Sequence, residues 1–453
     1  MYALLVIFRE LTLSGTEDVT ASTEDVQSPL QNKKIVLILV ILILWAACTG
    51  MGGFGYQNGD YHQRNALLKN LIDQPYPVIY APEYVSNNSI QNIRKDFHGS
   101  LALVYYFAFY LLPALFGKFL GWRAANTISF GYGLIGVLIA AAWIFKLAGR
   151  LSVRLTLLLV FFSGMDFVGY IILKLKIPAW TEHIEWWAVF WQYSSNTTLL
   201  FWVPHQGISA WILTSLLMNE ALIRRSNRHV AFITAIGAFW SVWVCVGLLP
   251  FMISSILINR KKLGEVFTFQ NVIAASLIVL LFALFYMSQI GGIQKMWLWQ
   301  YINIYEARQS FLLFYLLEFV LLSAVCFDKT RNLWWWTAVV SLMLLPLYRI
   351  GVINDFVMRV SIPSLFVIMF YAGNSLINPS CNKLKKVAIF VIIALGALTP
   401  TTEIYRSLTR YKITPLRLER VQELASVPNS YNYFGYTDSV FFEYIAKRNK
   451  YNK

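Results

Sequence analysis

The run Lys33-Lys34-Ile-Val-Leu-Ile-Leu-Val-Ile-Leu-Ile-Leu-Trp45, continuing to Gly53, decides the class of fold. A helix crossing the hydrocarbon layer of a bilayer needs about 20 apolar residues, and this run has that length. Its two lysines mark a cytoplasmic start by the positive-inside rule, so Ile35–Gly53 reads as a first span leaving the cytoplasm. The rest of the chain has the same character. Hydrophobic residues make up 57% of it, charged residues only 13%, and the mean hydropathy is +0.55. Apolar runs recur between short polar loops, as in an all-α polytopic bundle. No ten-residue alternation of the kind that builds a membrane β-barrel recurs. The net charge of +15 belongs to cytoplasmic loops and anionic headgroups, and implies no nucleic-acid partner.

Residues 1–34 read as a cytoplasmic tail. Met1–Phe8 is too short to span, Leu11–Leu30 is polar and expected to be disordered, and no basic region precedes an apolar core as in a cleavable signal. Further basic clusters are Lys146/Arg150/Arg154, Arg224/Arg225/Arg228, Arg260/Lys261/Lys262, Lys329/Arg331 and Lys383/Lys385/Lys386. If all are cytoplasmic, an even number of crossings separates each pair. Only one of Leu101–Leu120 and Ala124–Phe145 can then cross. The first holds Pro113, Lys118 and many aromatic residues, which suits an interfacial helix on the outer face.

The remaining spans are Leu155–Leu173, Gly207–Ile223, Val230–Leu248, Leu249–Ile258, Val272–Gln289, Ser310–Phe327, Leu333–Leu347, Val360–Ile377 and Val387–Thr399, with Pro250 marking a turn between the two short helices of Val230–Ile258. That makes about eleven crossings within a transmembrane domain over residues 35–400. The outer face then carries the loop 54–99, the interfacial helix 101–120, a Trp-rich loop Lys174–His205, two shorter loops and a C-terminal tail over 401–453 that can form a small helical cap. An integral, multi-pass protein of a bacterial inner membrane fits this layout.

Asp60 leads the chemistry. In Gly59-Asp60-Tyr61-His62-Gln63-Arg64 it stands just past the first span, ahead of a helical pattern with Leu67, Leu68, Leu71 and Ile72 on one face. It can cap that helix or act as a base at the membrane lip, among hydrogen-bonding neighbours that include His62 and Arg64. His62 and His98 share the outer loop, and a neutral imidazole suits acid-base work near neutral pH. No spacing of zinc-site type occurs. The metal is therefore unknown, although Asp60, Glu83 or Asp96 admits a divalent cation shared with a phosphate.

Arg349 and Arg359 flank Asn354-Asp355 at another outer boundary, where a planar guanidinium can grip a phosphate or anchor the loop in an ion-pair cluster. Asp166 and Glu318 are acids within apolar runs, so they should face the bundle interior. The run Trp186-Trp187…Trp191…Asn196…Trp202-Val-Pro204-His205-Gln206 reads as an interfacial belt or as a groove that stacks on a sugar. Asn87-Asn-Ser89 and Asn196-Thr-Thr198 match the glycosylation sequon, which matters only in a eukaryotic secretory setting. Cys48, Cys245, Cys326 and Cys381 are scattered and read as packing residues.

In order and placement these features resemble the GT-C class of membrane glycosyltransferases, which includes protein O-mannosyltransferases and aminoarabinose transferases. The likeness covers the first third of the chain: a first span, an outer loop opening on an acid and a helix (Asp60–Ile72), and a His-containing turn. A Tyr-rich semi-embedded helix ending in Phe-Gly-Lys (His98–Lys118) and a span beginning Arg123-Ala-Ala-Asn126 follow. Strings such as Ser194-Ser-Asn-Thr-Thr-Leu-Leu-Phe-Trp202 and Asn354-Asp-Phe-Val-Met-Arg359 are similar to uncharacterised bacterial polytopic proteins, which imply no activity. The GT-C resemblance implies that Asp60 takes a proton from the acceptor, that the donor is a polyprenyl-phosphate sugar, and that Arg349 or Arg359 holds its phosphate. His62, Arg64, His98, Asp166, His205 and Asp355 complete the expected site. The class often places a second acid directly after the first, where this chain has Tyr61. The competing expectations are a lipid-linked-glycan transporter or flippase working through Asp166 and Glu318, and a polysaccharide polymerase or ligase.

Overall fold

The structure is a computed structural model that describes residues 29–80, 99–291, 294–302, 305–328, 332–351, 353–410, 421–427 and 430–446. Helices dominate, as they must where no water is present to satisfy backbone N–H and C=O groups. Among the described residues, five helices are long and apolar enough to cross a membrane. They are Ala108–Ala148, Val153–Lys174, Gln270–Met287, Ala307–Cys326 and Lys383–Arg410. A sixth results if Val242–Ile258 and Arg260–Val266, bent by 118°, count as one span. Val230–Trp240, Leu333–Leu347 and Ile362–Ile377 are shorter apolar helices, and Pro29–Ala47 opens the bundle. Trp45 of that first helix donates to Thr197 Oγ1 at 3.0 Å and stacks on Trp211.

The described basic segments gather at one end. Arg150 Nη2 donates to the Ile377 carbonyl, and Lys385 Nζ to the Phe327 carbonyl at 2.7 Å. Lys262 Nζ reaches the Arg225 carbonyl at 2.7 Å. Helices Pro204–Met218 and Ile362–Ile377 pack together and run toward this end from a common start, where Arg359 meets Gln206. That start is the opposite end of the bundle.

Four expectations are corrected. The first part of the segment 101–120 is not helical: Leu101–Leu103 forms a strand (β2) between β1 (Ile79–Tyr80) and β5 (Phe434–Tyr436), both antiparallel to it. The helix begins at Ala108 and bends at Gly121, whose φ of 81° and ψ of −179° suit only glycine. Pro250 marks no turn and lies inside Val242–Ile258. The reversal comes at Ser241, which is extended and caps the next helix by accepting from the Trp243 N–H at 3.3 Å. A Cβ on Gly237 would stand 3.1 Å from Cys245 Cα, so the two arms fold back tightly. The expected span 155–173 is interrupted over Phe162–Met165. The C-terminal segment adds a strand, β5, to the sheet of β1 and β2 in place of a purely helical cap. A second small sheet pairs β3 (Lys295–Trp297) with β4 (Tyr348–Ile350).

Candidate functional site

The site is built where the first helix gives way to helix Tyr61–Asp73. Asn58 fixes the turn: its Nδ2 donates to the Phe201 carbonyl at 3.0 Å, and its Oδ1 accepts from the Asp60 N–H at 3.1 Å. Asp60 occupies the N-cap position but makes no capping hydrogen bond. Its Oδ2 instead accepts from Arg64 Nη2 at 3.0 Å, one helical turn on. Ala66, Leu67, Leu68 and Leu71 bury the same helix against the core. Arg64 is buried with them, lies over the Tyr61 ring, and lines a cavity of about 20 Å³, the room of roughly one water.

Facing this helix is the start of helix Pro204–Met218. His205 and Gln206 are both buried there. Gln206 Oε1 accepts from Arg359 Nη1 at 3.1 Å, while Arg359 Nε and Nη2 donate to Asp355 Oδ1 at 3.0 and 2.5 Å. Tyr106 stacks on His205 at 5.6 Å, and Tyr110 lies 6.1 Å from it. Tyr105 stacks at 3.9 Å on Tyr433, which the C-terminal segment delivers next to β5. Lys69 pairs with Glu423 at 2.8 Å, and the Leu424 N–H donates to Asn70 at 3.1 Å, which hold that segment against the helix of Asp60.

Arg64 and Arg359 are both near enough to His205 and to Tyr105 to interact electrostatically with each. Burial first, and then these two positive charges, push the His205 imidazole well below its ordinary range, so it is neutral. Neither ring nitrogen of His205 finds a hydrogen-bond partner among the described residues. The same holds for Arg64 Nε and Nη1, Gln206 Nε2 and the Tyr61 hydroxyl. Buried donors are costly when unmet. Two guanidinium groups beside them favour a ligand that is anionic and rich in acceptor oxygens.

Of the expected site residues, Asp60, Arg64, His205, Asp355 and Arg359 come together. His62 does not, because it sits on the exposed face of its helix. Arg349 does not either: its guanidinium stacks on the Phe190 ring at 4.2 Å and its Nε donates to the Gly351 carbonyl at 3.1 Å. Asp166 belongs to a separate buried cluster, accepting from Ser163 and Trp187. His98, Glu83 and Asp96 lie outside the described residues. Among those described, no three His, Cys, Asp or Glu side chains are grouped to hold a metal ion. Tyr105, Tyr106, Tyr110 and Tyr433 join the site without having been expected there, and Gln206 was read only as the end of the aromatic run 186–206. The Tyr-Tyr-Phe run at 105–107 was the local signal for the first two.

Comparison of the chain with protein-family models, with curated proteins and with solved structures finds no match. Its helices define it as a helical membrane protein.

Proposed function

We propose that the chain is a membrane glycosyltransferase of GT-C type, which moves a sugar from a polyprenyl-phosphate donor to a cell-envelope lipid or glycan. The observation that carries this reading is the convergence of a half-exposed carboxylate, Asp60, with the Arg64–His205–Arg359 cluster. All lie at the end of the bundle opposite the basic loops.

In the reaction, Asp60 removes the proton of the acceptor hydroxyl as its oxygen attacks the anomeric carbon. The bond from that carbon to the donor phosphate oxygen breaks, and its electron pair leaves with polyprenyl phosphate. Arg64 and Arg359 bind that phosphate and stabilise the charge it gains. Neutral His205 and the tyrosines offer further hydrogen bonds. Beside the site, an apolar groove of about 310 Å³ between Leu71, Val78, Leu103, Phe107, Phe285 and Phe442 suits the isoprenoid chain. The five or six long helices and the shorter ones together make up about eleven crossings, with the basic loops in the cytoplasm of a bacterial inner membrane. A transporter reading would draw on Asp166 and Glu318 in the interior. The polar site instead sits at one end of the bundle, which favours a transferase.

The arginine assignment is tested by donor kinetics across a panel of polyprenyl-phosphate sugars, reading released polyprenyl phosphate. A charge-assisted hydrogen bond is worth about 1.5–3 kcal/mol, so Arg359→Gln should lower kcat/KM by roughly 10- to 100-fold. Arg349→Gln should stay near wild type. The reverse pattern would overturn the assignment.

A further inference from the structure

Among the five long apolar helices, the interruptions of three meet. Val153–Lys174 loses helical geometry over Phe162–Met165. Ala307–Cys326 carries a π turn at Leu316–Val320. Lys383–Arg410 has a turn at Ala397, followed by Pro400, which has no N–H to donate to the Gly396 carbonyl. Glu318 lies so close to the first break that a Cβ on Gly164 would stand 1.9 Å from its Oε2. A Cβ on Gly396 would stand 2.6 Å from the Ser163 carbonyl oxygen and 2.9 Å from that of Gly164. The Met165 N–H donates to the Leu317 carbonyl at 3.2 Å, tying the first break to the second.

The side chains at this junction are oxygen donors. Asp166 is 1% exposed, Glu318 4% and Thr399 1%. Asp166 accepts from Ser163 Oγ at 2.9 Å and from Trp187 Nε1 at 3.1 Å. Glu318 and Thr399 lie beside Asp166. Glu318 and Thr399 are within hydrogen-bonding reach of Asp166, and Trp187 of Glu318, but the angles leave both Glu318 carboxylate oxygens and Thr399 Oγ1 without a completed hydrogen bond among the described residues. The nearby acid, Glu185, is already held by Gln192, Ser195 and Thr198 and brings more negative charge.

Carboxylates buried at membrane depth are costly unless they are paired or bind a cation. No described ion pair includes Asp166 or Glu318. Oxygen-only donor sets suit hard cations. Interrupted helices, with carbonyls freed from the helical ladder, are where membrane bundles bind ions.

We propose that Asp166, Glu318 and Thr399 form a binding site for a hard metal cation at the junction of the three interrupted helices. The cation supplies the positive charge the two carboxylates lack and ties the three helices together. This site stands independently of the transferase reading.

The test is thermal unfolding of the full chain in detergent micelles at slightly alkaline pH. Choline chloride is compared at matched ionic strength with NaCl and KCl, and with choline chloride supplemented with CaCl₂ or MgCl₂. The wild-type midpoint should rise by a few degrees with one of these metals, growing with the logarithm of its concentration. The responding arm identifies a monovalent or a divalent ion. Glu318→Gln and Asp166→Asn should abolish the response, and Glu318→Gln should be at least as stable as wild type without metal, because a buried charge is gone. Thr399→Val should keep the response but need more metal. Identical wild-type midpoints in all salts would overturn the proposal. So would stabilisation by acidification alone, which would assign the pair a shared proton.

Discussion

Asp60→Asn separates the electrostatic role of the first-loop acid from its chemical one. In the structure Arg64 has 3% of its side chain exposed, and its ion pair with Asp60 is 3.0 Å long. The Asp60 side chain is 43% exposed, so water screens that end of the pair. A fully buried ion pair costs about 3–5 kcal/mol to break from one side, and a surface pair about 0–1 kcal/mol. With one partner buried and the other half in water, the substitution should cost about 1–2 kcal/mol. That lowers the unfolding midpoint by a few degrees. The Arg64 guanidinium then lacks its counter-charge, and inorganic phosphate can replace it. Phosphate should therefore raise the midpoint of Asp60→Asn more than that of wild type, when compared with chloride at equal ionic strength. A variant as stable as wild type, with no phosphate response in either protein, would refute the reasoning that Arg64 belongs to an anion site.

Other outcomes follow from packing and titration. A Cβ on Gly247 would stand 2.5 Å from the Val360 carbonyl oxygen, so Gly247→Leu should cost about 1–3 kcal/mol by overpacking. Gly264→Ala, with nothing within 4 Å of the added atom, should leave the unfolding midpoint nearly unchanged. Burial works against charge on His183, but its 2.7 Å contact with Glu403 Oε1 and the charge of Glu403 outweigh it and raise the His183 pKa. Stability from this pair should be complete just below about pH 6.5, fade as pH rises through the raised His183 value, and be lost again in acid as Glu403, held below its usual range, takes up a proton. His183→Gln should flatten that part of a chemical-denaturation profile. Burial, and then the negative charge of Asp166, push the Glu185 carboxyl up, so its contribution falls with rising pH from about 4.3 toward neutrality. Glu185→Gln should remove that slope. Tyr433→Ala, which deletes the ring stacked on Tyr105, should speed limited proteolysis of the C-terminal segment.

The helices were legible because a span of about 20 apolar residues leaves a plain signal. Their interruptions were not. Phe162–Met165 is marked in sequence only by Ser163-Gly164 ahead of Asp166, and its non-helical path is accompanied by the Phe162 carbonyl accepting from the distant Asn196 N–H. The three-stranded sheet was hidden for a related reason: its strands are two or three residues long, with 101–103 pairing to 79–80 on one side and to 434–436 on the other. Strands that short carry no periodicity.

Within the site, the Asp60–Arg64 and Asp355–Arg359 pairs follow from i,i+4 spacing. Arg349 and Arg359 look equivalent in sequence. Gly351, at φ 87°, turns the chain between them and leaves Arg349 on β4 against Phe190. The approach of Arg359 to Gln206, and of Tyr433 to Tyr105, joins residues too far apart in the chain for any local pattern to reveal.

The most direct measurement is the initial rate of sugar transfer from polyprenyl-phosphate donors by the purified full chain in proteoliposomes, wild type against Asp60→Asn. The same preparations are checked for folding by their thermal transitions. Loss of transfer in a variant that still folds and inserts is the predicted result. Full activity in Asp60→Asn would contradict the assignment of Asp60 as the base.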